Sequence, residues 1–344
     1  MSRTGALVSS AVAALVAVGL WLLSGTISLA TQPDGGLAAF VPYTGGALQR
    51  AQANTTSWLV GIAVLVAVVG ALTVPVSRSR TGGWPVVVLA LWFVSVAGAG
   101  LATLAMAEVA DHLAMSNPGE RIGAITVGGY WGVVWGWAVG LAVVLVQPRP
   151  LLAAASPSER AARLAGGTTA LVGGLGWLVI GALRSWADGS VDLTDPTAVA
   201  AHHDASPWIS TLLPVPGSWW APLVTGGTPR VWLGAAVVAA VQGALAYVAA
   251  RTMHRRFGRV AFTFAVWFSA VAAAVLATAA MYTGATAEEL YQGITVVSQL
   301  VLVGGQFGVQ YGWVGAVLAL VVLAAVDDRS PAADGIDSDA LTAA

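Results

Sequence analysis

The chain has 344 residues, of which 57% are hydrophobic and only 9% charged, with a formal net charge of −1. Soluble domains carry about 25% charged residues, so water is excluded as the solvent for most of the chain, and the near-zero charge leaves no footprint for nucleic acid. The absence of cysteine excludes disulfides and thiolate metal sites, and the absence of lysine among the 15 basic residues excludes lysine chemistry.

A helix needs about 20 residues to cross a hydrocarbon core of about 30 Å. Apolar runs of that order lie at about 6–29, 57–76, 85–107, 123–146, 168–186, 231–250, 260–282 and 294–326. None carries a charge in its middle, where one would cost at least about 2.5–3.5 kcal/mol. The sequence therefore predicts an all-α integral membrane protein of eight transmembrane helices.

Arg3 and Ser28-Leu29-Ala30 give span one some features of a signal peptide. Its length, and the recurrence of Trp21-Leu-Leu-Ser-Gly25 as Trp177-Leu-Val-Ile-Gly181 in span five, favour a retained helix. Span two carries Trp58-Leu59 and Gly70-Ala-Leu72, and span six carries Trp232-Leu233 and Gly243-Ala-Leu245. Trp92-Phe93, Leu101-Ala-Thr103 and Met106 of span three recur in span seven as Trp267-Phe268, Leu276-Ala-Thr278 and Met281, at a constant offset of 175. Gly129-Tyr-Trp-Gly132-Val-Val-Trp-Gly136-Trp137 of span four recurs in span eight as Gly305-Gln-Phe-Gly308-Val-Gln-Tyr-Gly312-Trp313, at offset 176.

Self-similarity of this kind marks an internal repeat. Each half holds an even number of spans, so both enter the membrane from the same side. The expected architecture is two parallel four-helix repeats, 1–146 and 168–326, related by a pseudo-twofold along the membrane normal.

Between the repeats, the linker 147–167 contains Ser156-Pro157-Ser158-Glu159, which reads as a capping box with Ser156 as cap and Pro157 at the first helical position. It predicts a short interfacial helix carrying Arg160 and Arg163 ahead of span five. The external loop 187–230 holds four prolines in 207–222 and Trp208, Trp219 and Trp220, which suit a cap resting at headgroup level. The tail 327–344 is acidic and small, and is expected to be disordered.

With the N-terminus inside, eleven arginines fall on the cytoplasmic side and four, Arg50, Arg121, Arg184 and Arg230, outside. That positive-inside bias places both termini in the cytoplasm. The all-arginine basic set, with its Ala, Val, Gly and Leu load, fits a GC-rich bacterial genome and hence a bacterial plasma membrane.

Titratable groups inside the membrane, which proton-coupled transporters need, are missing, since Glu108 and Arg184 stand at span ends. P-loop, Gly-x-Ser-x-Gly and His-Glu-x-x-His motifs are absent too. Glu108, Asp111 and His112 after span three, and His202, His203 and Asp204 in the long loop, are weak candidates for a divalent metal. Adjacent histidines in an irregular loop lack helical ligand spacing, so no metal or other cofactor is expected.

Spans four and eight carry small-residue stripes, Gly128, Gly132, Gly136 and Gly140, and Gly304, Gly308, Gly312 and Ala316, which predict central packing helices. At about 100° per residue, with Gly304 at zero, Gln299, Gln306 and Gln310 fall at about 220°, 200° and 240°, opposite the stripe. Amides cannot face lipid unpaired, so this row, with Tyr130 at the matching position of span four, is the candidate lining of a cavity with its polar wall on span eight. Ile125-Thr-Val127 matches Ile294-Thr-Val296 at offset 169 rather than 176, which predicts that span eight tilts, protrudes or breaks near Gly304-Gly305.

The function expected from these features is transport or channel-type movement of a small or lipidic solute without proton coupling, with the bilayer and a separate ATPase or membrane subunit as partners. The alternatives are a non-transport subunit or assembly factor of an envelope complex, and an enzyme on a lipid-linked substrate that uses the external Asp/His cluster.

Overall fold

The computed structural model describes residues 3–31, 55–78, 83–110, 118–146, 156–189, 229–254, 258–281 and 293–327. They form eight helices: α1 (Arg3–Thr31), α2 (Thr55–Arg78), α3 (Trp84–Ala110), α4 (Pro118–Val146), α5 (Glu159–Gly189), α6 (Pro229–Thr252), α7 (Arg259–Met281) and α8 (Gly293–Asp327). All eight are long and apolar enough to cross a membrane. A helix pairs its interior backbone groups within itself, the condition a hydrocarbon solvent imposes; inside α2, Pro75 brings no N–H for the Ala71 carbonyl.

The start of α5 differs from the sequence expectation. Ser158, not Ser156, caps the helix: its Oγ accepts from the Ala161 N–H at 3.2 Å and its carbonyl from the Ala162 N–H at 3.0 Å. Pro157 thus precedes the cap, and Glu159 pairs with Arg163 one turn on. The helix then runs unbroken to Gly189 rather than as a short helix followed by a span. Gly166, which could have ended it, instead seats against the Gly243 carbonyl and Tyr247 of α6.

The centre of the bundle is α3 and α7. Of their spans 72% and 61% are buried, against 28–39% for the other six. This corrects the expectation that spans four and eight are central: their glycine stripes face inward, but onto α3 and α7. A Cβ added at Gly132 or Gly308 would lie closer than 3.0 Å to the backbone of Val96 or Val271 respectively. Gly128 sits against Ala99 and Thr103, and Gly304 against Ala274 and Thr278; Gly136 sits against Trp92, and Gly312 against Trp267. Such approach brings helix backbones together where no hydrophobic force acts between helices in lipid.

Two indole hydrogen bonds tie the same pairs. Trp92 Nε1 donates to the Val133 carbonyl at 2.8 Å, and Trp267 Nε1 to the Val309 carbonyl at 2.9 Å. Between α3 and α7 the contact is reciprocal: Trp92 stacks on Phe268 with centroids 4.4 Å apart, and Phe93 on Trp267 at 4.6 Å. Each helix thus offers its tryptophan to the other's phenylalanine, and each pair adds about 0.5–1.5 kcal/mol beyond burial. Val96 and Val271 pack beside them.

Helix α8 is continuous through Gly304-Gly305, which removes the predicted break. Both helices begin at nearly the same distance from their stripes, Pro118 before Gly128 and Gly293 before Gly304. The Ile-Thr-Val match is therefore not a structural one. At 35 residues α8 is roughly 52 Å long at 1.5 Å per residue, well beyond a hydrocarbon core of about 30 Å.

Candidate functional site

Because the stripes turn toward α3 and α7, the neighbouring faces of α4 and α8 turn toward each other. Between them lies a cavity of about 270 Å³. From α8 it is lined by Gly305, Gln306, Val309 and Gln310, and from α4 by Ile122, Ile125, Thr126, Gly129, Tyr130 and Val133. Phe93, Val96 and Ala97 of α3 and Val271 of α7 complete the wall.

Gly129 and Gly305 make the space. A Cβ at Gly305 would meet nothing nearer than Val275 Cγ2 at 4.0 Å, and one at Gly129 nothing nearer than Val96 Cγ1 at 3.6 Å. These two glycines are therefore not packing glycines: they widen the cavity between the helices.

The structure brings Tyr130, Gln306 and Gln310 into this one cavity, and none of the three is free of protein interactions. Its lining is otherwise apolar apart from Thr126, whose Oγ1 donates to the Ile122 carbonyl at 2.7 Å within its own helix. Among the described residues the wall holds no carboxylate, imidazole or guanidinium. Two amides and a phenol among aliphatic side chains suit a neutral ligand with a few hydrogen-bonding groups; they offer no base-activated nucleophile. The apolar part of the wall was not singled out from sequence, since Ile122, Ile125 and Val271 look like any lipid-facing residue.

Gln299 belongs to α8, but its side chain lies outside the described residues, as do Asp111, His112, His202, His203 and Asp204. Among the described residues no group of three or more His, Asp and Glu could hold a metal ion. Glu108 is instead paired with Arg121 Nε at 2.8 Å, bridging the end of α3 to the start of α4.

One residue escapes a reading based on the repeat. Gln242 of α6 is 2% exposed and lines a second cavity, of about 200 Å³, between α5 and α8. The available signal was a lone amide in an apolar helix, next to the Gly243-Ala-Leu245 motif. Comparison with protein-family models, with curated proteins and with solved structures finds no match for the chain.

Proposed function

We propose that the chain is a multi-pass membrane protein of two parallel four-helix halves, related by a pseudo-twofold along the membrane normal, that binds a neutral, largely apolar solute between α4 and α8 and moves it across or within the bilayer. The observation that carries this reading is the cavity where Tyr130, Gln306 and Gln310 meet in an apolar wall. The reciprocal Trp92–Phe268 and Phe93–Trp267 stacks support the pseudo-twofold, because a residue pair exchanged between two elements is the mark of a twofold contact. The arginine distribution supports cytoplasmic termini in a bacterial plasma membrane. With charged residues only near helix ends, passive movement or movement driven by a separate ATPase subunit fits better than proton coupling.

Native mass spectrometry of the chain released from membranes tests the site. The wild type should retain a lipid or small neutral solute, and the Gln306→Leu/Gln310→Leu double variant and Gly305→Leu should lose it while remaining folded. Identical bound species in all three would sink the reading.

A further inference from the structure

We propose that the cavity around Gln242 is a second binding site, separate from the one between α4 and α8, for a small, mostly apolar, neutral molecule with one hydrogen-bond donor, such as a phenol or short alcohol. Gln242 Oε1 is buried and has no hydrogen-bond partner. An unpaired buried acceptor keeps the cost of its desolvation, and a donor brought by a ligand would offset that cost.

The rest of the wall fixes the ligand class. Phe307 and Tyr311, with centroids 5.5 Å apart, and Val172 and Ile180 give it aromatic and aliphatic sides, and none of the described lining residues is charged. Gly173 and Gly315 clasp the amide from α5 and α8, and a Cβ at Gly173 would lie closer than 3.0 Å to Oε1. The volume of about 200 Å³ exceeds that of an apolar cavity of about 150 Å³ known to hold benzene, so a single ring fits. Val179 lines the cavity yet is 55% exposed, which places the mouth on the outer surface of α5, open to hydrocarbon. A ligand would therefore enter from the membrane.

The matched positions of the first half carry different side chains, so the amide and its aromatic wall belong to the second half alone. Val69 stands where the second half has Gln242, and Trp131 and Trp135 where it has Phe307 and Tyr311. Larger rings and an aliphatic residue stand there in place of the amide and the aromatic wall beside it.

Fluorine NMR titration of the purified full chain with 4-fluorophenol, and with fluorobenzene as the ring lacking a donor, tests the site. Wild type should bind 4-fluorophenol saturably and about tenfold more tightly than fluorobenzene, the value of one hydrogen bond. Gln242→Leu should abolish that preference, and Phe307→Trp should abolish binding of both rings. Gly176→Ala should weaken binding without touching the amide, since its Cβ would stand 3.9 Å from Phe307 Cζ; it serves if Gln242→Leu does not fold. The Gln306→Leu/Gln310→Leu variant should leave the titration unchanged, so this site and the α4–α8 cavity fail or stand separately. Absence of saturable binding to wild type, meaning that water alone serves Gln242, would overturn the proposal, as would a preference that survives Gln242→Leu or disappears with Gln306 and Gln310.

Discussion

Two tryptophans, Trp21 and Trp131, meet where α1 packs on α4, whereas at the matching contact of α5 with α8 a tryptophan meets a phenylalanine beside a cavity. In the first, Trp21 and Trp131 meet edge to face at 5.1 Å, and Trp131 Nε1 donates to Ser24 Oγ at 2.9 Å. In the second, Trp177 meets Phe307 at 5.0 Å in the same edge-to-face manner, but Ile180 stands where Ser24 would be. The polar group has moved from the helix pair to Gln242 on the floor. The larger rings carry their own cost, since Trp135 Nε1 is buried without a partner. One packing scheme thus serves both contacts, because the close backbone approaches reside in the glycines and the difference in the residues beside them.

The largest effect should come from breaking what the halves share. Gly132→Leu or Gly308→Leu forces a side chain into the backbone of α3 or α7 and should destabilise the protein by about 3 kcal/mol or more in detergent. Gly305→Ala, one turn away on the cavity side, should stay within about 1 kcal/mol of wild type. Equal losses at Gly305 and Gly308 in thermal unfolding would erase the distinction between packing and cavity glycines.

Exchanging the residues that differ sharpens the comparison at an intermediate scale. Val69→Gln puts an amide in place of a fully buried aliphatic side chain and should cost about 1–3 kcal/mol, while Gln242→Leu removes an unpaired acceptor and should stabilise the ligand-free protein by about 1 kcal/mol. The same sign for both substitutions would contradict the account. The smallest effect belongs to Ser24→Ala, which removes the acceptor for Trp131 and should cost about 0.6 kcal/mol, read as a small fall in unfolding midpoint with no change in ligand binding.

The eight helices were legible because a hydrocarbon core demands a fixed apolar length, and only ends such as that of α5 moved with local capping. The opposition of Gly304, Gly308 and Gly312 to Gln306 and Gln310 was legible too, since it follows from helical angle alone. The central position of α3 and α7 was not. In lipid a buried face and an exposed one are equally apolar, so hydropathy cannot separate α3 from α2, and the glycine stripe of α4 marks only that something packs there closely. The break at Gly304-Gly305 failed for a related reason: Gly304 holds a close approach to Ala274 and Thr278, and such glycines preserve a helix against its neighbour. Gln242 was passed over because self-comparison highlights positions that agree, whereas the second site lies where the halves disagree.

The most direct measurement of the central claim is a cryo-electron microscopy map of the full chain in lipid nanodiscs. The account predicts α3 and α7 at the centre, the pseudo-twofold along the disc normal, and density for a bound molecule between α4 and α8 touching Tyr130, Gln306 and Gln310. Direct packing of α4 against α8 that closes the cavity, with both glutamines bonded only to protein, would contradict it.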